Sequence, residues 1–432
     1  MTFALRLQSF QKRLLLLIPA VLLLLGAFFA VRWCFAQAVA EQANVKELAE
    51  LAVNWSPDNP QAHFALAALS EKTFLPEDAA VALREYERAA AISPHDFRLW
   101  LAVGKMRERN GDARGAEAAL RRALELAPEY AQIHWTLGNI LLRSDRIEEA
   151  ISELRTAAER NPTFAPYVVD AIMQTFGDRK PDGNLDEVTR RIGESTSMRA
   201  ALISILAREK RFDDAWRFWN EFTPQQKAAH KADGDELLKY LLDGRRFRAA
   251  ADLFAQNTSS DTDKPAIGKV LNGDFEGDAI STPGNLRPFA WHVADGAEPQ
   301  IGFDPASKHG GSRSLVLAFK SVSGQDFRQI SQIVAVESNA RYRLEFYART
   351  GDLKSNATVR WDIVDANDER ILASSTPVPT GNSDWQKFTM DFATSANTQA
   401  VRISLARVPC NLPPCSLVGK IWFDDFNMQK AN

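Results

Sequence analysis

The sequence contains few of the residues that enzymes use as nucleophiles or metal ligands. It has three cysteines and six histidines among 432 residues. His63, His95, His134 and His230 occur singly, so a packing or surface role is predicted for each of them. The sequence has no HExxH zinc motif, no glycine-rich phosphate loop and no nucleophile motif. These absences predict a protein that is not an enzyme.

An excess of charge of one sign is also lacking. Lys and Arg number 52 and Asp and Glu number 55, which gives a formal net charge of −3. Proteins that bind nucleic acid usually carry a strongly basic footprint, so no nucleic-acid partner is predicted. The length predicts two or three domains, because single hydrophobic cores rarely grow beyond about 250 residues.

The N-terminus carries a long uncharged apolar run. Leu14 to Val31 is 18 residues without a charge, and extension to residue 36 is enough for a transmembrane helix of about 20 residues. Basic residues precede the run at Arg6, Lys12 and Arg13. The positive-inside rule predicts a single-pass protein of the bacterial inner membrane, with residues 1–13 cytoplasmic, helix 14–36, and the bulk of the chain periplasmic. A cleaved signal peptide is the alternative, because residues 36–38 (AQA) resemble a cleavage site.

A repeat of 34 residues fills the middle of the chain. Prolines recur at this interval, at Pro60, Pro94, Pro128 and Pro162. Small residues repeat in phase with them, at Ala82, Ala116 and Ala150, and at Gly104 and Gly138. Small side chains are expected where two helices cross closely, and proline ends a helix. The spacing predicts repeated helix–turn–helix units.

Two segments, LWLAVGKMRERNGDARGAEAALRRALELAP and IHWTLGNILLRSDRIEEAISELRTAAERNP, closely resemble the tetratricopeptide repeat family. The resemblance implies an α-helical solenoid with repeats over residues 60–164. A juxtamembrane helical segment at 37–59 precedes it, and divergent repeats at 165–257 follow. Such solenoids offer a concave face that usually holds a protein partner. A spacer that holds the next domain away from the membrane is the alternative.

The apolar period changes from 3.6 to 2 after a polar stretch that contains proline. Residues 258–268 are predicted to be a linker. Residues 269–432 are predicted to form an all-β sandwich, because short alternating strands are separated by Gly, Asn, Ser and Pro turns. The segment 270–282, VLNGDFEGDAIST, is predicted to be its first strand.

The order of motifs here, from NGDFE through HGGSRSLVL and RYRLEFYART to GKIWFDDFNM, resembles the jelly-roll carbohydrate-binding modules attached to xylanases and glucanases. The resemblance implies a jelly-roll fold and a polysaccharide ligand. In those families a calcium ion commonly joins the first strand to the last, through hard oxygen donors. The matching positions are Glu276, Asp424 and Asp425, with Asp274 as a further candidate. Alternatively, these acids cap strand ends and bind backbone groups.

Strand alternation separates the core of this sandwich from its surface. Inward positions are predicted at Tyr342, Leu344, Phe346 and Ala348, at Val359, Trp361 and Ile363, and at Val401, Ile403 and Leu405. If the three strands are sheet neighbours, their outward side chains form one glycan-binding surface, made of Tyr347, Arg343, Glu345, Arg349, Arg360, Asp362 and Arg402. A solvated face with cross-strand ion pairs is the alternative. Trp291 and Trp385 are expected in the core.

Cys410 and Cys415 bracket a short proline-rich loop, CNLPPC. Both lie in the part of the chain that is predicted to be exported. An oxidising compartment and a tight loop favour a local disulfide between them.

Three functional hypotheses follow. The first is a membrane-anchored, exported scaffold whose repeats hold a protein and whose jelly roll contacts glycan, in polysaccharide assembly or export at a bacterial envelope. The second is a purely structural component whose jelly roll docks protein and not sugar. The third and weakest is a divergent glycoside hydrolase, which would need two carboxylates at a defined separation.

Overall fold

The computed structural model describes residues 10–73, 75–177, 184–277, 280–281, 287–320, 327–410 and 415–431. The chain forms two compact units, Met1–Ala201 and Leu202–Asn432. The first unit is helical, and the second combines helices with a β-sandwich. The predicted fold class, a helical repeat array followed by an all-β sandwich with one apolar N-terminal helix, is confirmed.

The helices of the first unit follow one another with short connections. They are α1 Phe10–Gln42, α2 Lys46–Trp55, α3 Pro60–Glu71, α4 Pro76–Ile92, α5 Phe97–Arg109, α6 Ala113–Leu126, α7 Ala131–Arg143, α8 Ile147–Arg160, α9 Ala165–Phe176 and α10 Asp186–Ile192. Helix α11, Thr196–Arg208, contains the break between the two units.

Close helix crossings explain the repeated small residues. A Cβ atom on Gly104 would lie 2.7 Å from Cγ of Leu120, and one on Gly138 would lie 2.7 Å from Cγ of Leu154. Contacts this short leave no room for a side chain. The 34-residue period therefore corresponds to the helix pairs α3–α4, α5–α6 and α7–α8, which pack closely.

Two of the single histidines pair with carboxylates inside the repeats. The Nδ1 atom of His63 lies 2.7 Å from Oε2 of Glu85, and that of His134 lies 2.6 Å from Oε2 of Glu153. The Nε2 atom of His134 faces the carbonyl oxygen of Pro128 at 2.8 Å. The hydrogen bond to Glu153 raises the pKa of His134, because the protonated ring donates to both acceptors.

Helix α1 has an exposed apolar surface. Its residues Leu17–Gln42 are long and apolar enough to cross a membrane. Large apolar side chains are exposed along this helix from residue 17 to residue 31. A helix of this length and composition near the N-terminus is either a membrane anchor or a signal sequence.

The helices of the second unit precede the sandwich, and α15 packs on it. They are α12 Phe212–Glu221, α13 Pro224–Ala229, α14 Lys231–Asp243 and α15 Phe247–Asn257. Phe247 is buried against Ala366 and Ala400 of the sandwich. The side chain of Asn367 donates a hydrogen bond to the carbonyl oxygen of Arg245 at 3.0 Å. The start of α15 is thus part of the sandwich surface.

The sandwich has two sheets. Its strands are β1 Ile280–Ser281, β2 Trp291–Val293, β3 Gln300–Asp304, β4 Ser314–Phe319, β5 Ile330–Ala335, β6 Arg341–Ser355, β7 Val359–Asp365, β8 Ile371–Ser374, β9 Gly381–Ala393, β10 Ala400–Arg407 and β11 Leu417–Ala431. One sheet has six strands in the order β1-β2-β5-β10-β7-β8, and the other has five in the order β3-β4-β11-β6-β9. Neighbours are antiparallel except β1 and β2.

Aromatic side chains fill the space between the sheets. The ring of Trp361 lies 5.0 Å from Phe426, 5.4 Å from Phe423 and 5.6 Å from Trp291, measured between centroids. The core predicted from alternation is confirmed, because every residue predicted to point inward on β6, β7 and β10 is buried.

The segment predicted to be the first strand has a different structure. Residues 271–275 form turns and a bend, and among the described residues of this segment only Ile280–Ser281 is a strand. Asn272 and Phe275 have φ angles of +50° and +55°, in the left-handed region that interrupts extended backbone. The prediction of a strand over this segment was therefore wrong. The turn buries Phe275 in the core.

Candidate functional site

The predicted glycan-binding residues lie on two sheets. Tyr347, Arg343, Glu345 and Arg349 are on β6 of the five-stranded sheet, whereas Arg360, Asp362 and Arg402 are on β7 and β10 of the six-stranded sheet. The premise that β6, β7 and β10 are sheet neighbours is wrong, so these residues form two separate outer faces.

Ion pairs dominate the edge of the outer face of the five-stranded sheet. Arg343 donates two hydrogen bonds to the carboxylate of Asp391 on β9, at 2.7 and 3.1 Å. Lys387 on β9 pairs with Glu345 at 2.9 Å. These side chains form cross-strand ion pairs, which is the arrangement expected of a solvated face and not of a glycan-binding surface.

The aromatic rings of this face contact a loop histidine. The ring of His309 stacks on Tyr347 with a centroid distance of 3.6 Å and lies 5.8 Å from Trp385. One face of the Tyr347 ring is therefore already covered. Trp385 is half-buried on the outer face, so its prediction as a core residue was wrong, while Trp291 is in the core as predicted. Trp385 and the exposed Lys387 are two residues apart on β9, so strand alternation puts both side chains on the same face. This alternation could have predicted the outward position of Trp385.

The outer face of the six-stranded sheet carries a row of polar side chains, here called the polar row. Its members face one another on neighbouring strands β5, β10, β7 and β8: Ser331, Ser404, Asp362 and Ser374. Asp362 accepts hydrogen bonds from Nε of Arg360 at 2.8 Å and from Oγ of Ser374 at 2.6 Å. Although Asp362 and Ser404 point away from the core, they are only 5% and 2% exposed.

Two buried atoms beside the polar row have no hydrogen-bond partner within the described residues. They are the hydroxyl oxygen of Ser404 and Nε of Arg402. Another nitrogen of the Arg402 guanidinium donates to the carboxylate of Glu369. A buried polar atom without a partner costs roughly 1–3 kcal/mol, so such atoms call for an explanation.

The chemistry of this face suits a polyhydroxylated ligand. It offers a carboxylate that accepts, guanidinium groups that donate, and a hydroxyl that does both. A few convergent polar groups in a sheltered setting are typical of small-molecule and sugar sites. Ser404 was not among the predicted site residues, although its alternation with Ile403 and Leu405 indicated that it points outward.

The opening segment of the sandwich is held by reciprocal hydrogen bonds to the loop before β4. The carboxylate of Glu276 accepts from the backbone N–H of Ser312 at 2.6 Å and of Arg313 at 3.1 Å. The guanidinium of Arg313 donates to the carbonyl oxygens of Phe275 and Gly277 at 2.8 and 2.9 Å. The hydrogen bonds from Ser312 hold the pKa of Glu276 below its usual value.

The closing strand contacts the same loop. Asp424 is fully buried and accepts hydrogen bonds from the backbone N–H groups of His309 and Gly310, at 2.9 and 3.2 Å. Burial raises the pKa of Asp424, and the two N–H donors oppose that shift. Asp425 pairs with Nδ1 of His309 at 2.6 Å. Both the opening segment and the closing strand are thus bonded to this loop, and the N–H of Phe426 also donates directly to the carbonyl oxygen of Gly273 at 2.8 Å.

The four predicted calcium ligands are not equivalent in the structure. Glu276, Asp424 and Asp425 all contact residues 309–313. Asp274 instead accepts a long hydrogen bond of 3.4 Å from the N–H of Glu276. In the described part of the chain, no three His, Cys, Asp or Glu side chains form a group that could hold a metal ion.

The two cysteines near the C-terminus are linked. Cys410 and Cys415 form a disulfide between β10 and β11. Residues 411–414 of the loop that they bracket lie outside the described residues.

Two family models match the chain. The tetratricopeptide repeat model matches residues 109–171, and a carbohydrate binding domain model matches residues 268–409. A curated protein, the BBSome complex member bbs-4 of Caenorhabditis elegans, is 28% identical over 121 residues, which are 27% of this chain and 25% of that protein. The chain thus spans only about a quarter of that relative.

Solved structures resemble each part of the chain. MamA, in a structure titled "MamA RS-1 ArsTM double mutant", is 20% identical with a TM-score of 0.26, and the match covers 27% of this chain and 65% of that one. A structure titled "CBM4 structure and function" is 17% identical with a TM-score of 0.29, and the match covers 38% of this chain and 99% of that one. At these levels the structures support no argument about function.

Proposed function

Because this chain combines tetratricopeptide repeats with a carbohydrate-binding domain, we propose that it is a membrane-anchored binding protein for polysaccharide. Helix α1 anchors it, with residues before the helix in the cytoplasm and the repeats and sandwich on the outer side of the bacterial inner membrane. The repeats hold a protein partner on their concave face. The sandwich binds a glycan and the protein has no catalytic role. This combination suits polysaccharide assembly or export at a cell envelope.

The polar row supports the part of this proposal that concerns glycan binding. Ser404 and Arg402 each present a buried polar atom that lacks a partner among the described residues, and Asp362 lies directly opposite Ser404 in the sheet. Both atoms are covered in the structure, so the hydroxyls of a sugar would supply those partners once the side chains above them move. On the five-stranded sheet, Arg343 and Glu345 are paired with Asp391 and Lys387, and neither is among the described residues with a buried polar atom that lacks a partner. We therefore place the glycan on the six-stranded sheet.

Affinity electrophoresis of the full chain in detergent tests the proposal. Soluble xylan and mixed-linkage β-glucan, cast separately into native gels, are the probes. Retarded migration in at least one gel is expected, together with no release of reducing ends from the polysaccharide. If neither polysaccharide retards the protein, the sugar half fails and a sandwich that docks protein becomes the better hypothesis. Release of reducing ends would instead favour a glycoside hydrolase.

A structural calcium ion at the junction of first and last segments stays a prediction. Carboxylate oxygens suit a hard cation. However, the carboxylates of Glu276 and Asp424 already accept backbone hydrogen bonds, and that of Asp425 pairs with His309. A calcium ion would therefore share these carboxylates with the protein groups that they already bond. A melting temperature that falls on chelation and recovers with added calcium would support the ion, and an unchanged value would contradict it.

A further inference from the structure

The 34-residue spacing of small residues extends back into the apolar helix. Gly138, Gly104, Ser70 and Ala36 are separated by 34 residues each. All four are buried, each on the helix that precedes a close crossing. The last turns of α1 therefore occupy the place of the first helix of a repeat, and α2 occupies the place of the second.

The pair α1–α2 has the packing of a folded repeat. Ala36 and Ala40 of α1 are buried, and Ala40 belongs to one apolar cluster with Ala49 and Ala52 of α2. The same cluster includes residues of α3. A signal-peptide cut after residue 38 would separate Ala36 from Ala40 and divide this packed helix.

Helix α2 runs back along α1 towards the apolar segment. The ring of Trp55, at the end of α2, lies 4.8 Å from that of Phe35. The Arg32 side chain donates a hydrogen bond to the carbonyl oxygen of Trp55. Arg32 is the first charged residue after the uncharged run that starts at Leu14. Those 18 residues rise roughly 27 Å as a helix, close to the hydrocarbon thickness of a bilayer.

In a membrane anchor of this length, Trp55 would lie at the depth where the hydrocarbon ends. Leu48, Leu51 and Trp55 lie on one face of α2 and are 41%, 42% and 47% exposed. An open groove of about 350 Å³ separates Phe28, Val31 and Arg32 of α1 from Asn54 and Trp55 of α2. This groove is continuous with the exposed apolar surface of α1.

We infer that the first repeat is seated in the outer interface of the phospholipid bilayer, with the Trp55 indole among the headgroups and the Arg32 guanidinium directed at lipid phosphates. Tryptophan prefers this layer, and arginine reaches it with its charged end. The inference rests on the proposed membrane anchor. It adds that the helix is retained and that the solenoid begins at the membrane surface without a flexible tether.

Quenching of tryptophan fluorescence by brominated lipid tests whether the first repeat lies in the bilayer interface. The full chain is placed in nanodiscs of phosphatidylcholine and phosphatidylglycerol with brominated or ordinary acyl chains. Of the ten tryptophans, Trp33 and Trp55 adjoin Arg32, so Trp55→Phe is expected to remove about half of the quenched emission. Trp100→Phe, on α5 of the same unit, is the matched control and should leave the quenched emission unchanged.

The outcomes distinguish the interfacial position of the first repeat from the retention of α1 as a membrane anchor. If Trp55→Phe retains the melting temperature of the unaltered protein but quenching does not fall, Trp55 is not in the interface and the inference is overturned. Intact mass of the protein purified from membranes gives the second readout. A mass that starts after residue 38 would overturn both the anchor and the inference, whereas the full mass with reduced quenching supports both.

Discussion

Replacement of Ser404 by alanine should strengthen the fold and weaken glycan binding. The Ser404 hydroxyl is buried and has no partner in the described part of the protein. Leaving such a group unpaired costs roughly 1–3 kcal/mol, so its removal should stabilise the second unit by about 1 kcal/mol. For a unit of 231 residues (202–432), that corresponds to a melting temperature higher by roughly 2–4 °C.

The same hydroxyl is expected to bond a sugar hydroxyl in the complex. Loss of one neutral hydrogen bond costs about 0.5–1.5 kcal/mol, which is roughly a two- to tenfold weaker affinity. Differential scanning fluorimetry measures the first effect and affinity electrophoresis the second. Ser383→Ala on the five-stranded sheet is the control, because Ser383 already bonds Thr350. A Ser404→Ala protein that melts lower and binds glycan unchanged would refute the reasoning.

Three further changes test the packing and electrostatics of the chain. Gly273→Ala should destabilise the sandwich by about 3 kcal/mol, because the new Cβ would lie 2.1 Å from the carbonyl oxygen of Phe426. Chemical denaturation measures this loss of stability, and an unchanged denaturation midpoint would contradict the predicted clash. Phe247→Ala should cost about 3 kcal/mol in the second unit, because the ring is buried against the sandwich; unchanged stability would mean that α15 does not support it. Because the pKa of His134 is raised in the folded protein, protonation of its ring stabilises the fold. This stabilisation is complete at a pH below the unfolded-state pKa of about 6.5, and it is lost as the pH rises through the folded-state pKa. The melting temperature of the unaltered protein should therefore fall over that range more than that of His134→Gln, and equal slopes would rule this out.

Two sequence periodicities, the 34-residue repeat and the two-residue alternation of strands, predicted much of the fold. Prolines and small residues at intervals of 34 located the helix pairs, because a close crossing tolerates only a small side chain at positions such as Gly104. Alternation assigned the core side of β6, β7 and β10 correctly, since inward and outward faces follow from parity.

Strand order could not be predicted in the same way. Parity shows which side chains of one strand share a face, but pairing between distant strands decides which faces meet. Tyr347 and Arg360 were therefore combined in one predicted surface, although β6 and β7 belong to different sheets. The turn at Phe275 was missed for a related reason: the residue type gives no signal of a left-handed φ, and the burial of the ring depends on strands that are distant in sequence.

The affinity of two matched arginine variants tests the central claim most directly. Arg402 on the six-stranded sheet and Arg343 on the five-stranded sheet each point outward and each pair with a carboxylate, Glu369 and Asp391. Affinity electrophoresis in xylan and β-glucan gels compares Arg402→Gln with Arg343→Gln. The polar-row site predicts that Arg402→Gln weakens glycan binding by about tenfold or more while Arg343→Gln leaves it unchanged. The reverse result would place the glycan on the opposite sheet and contradict the account.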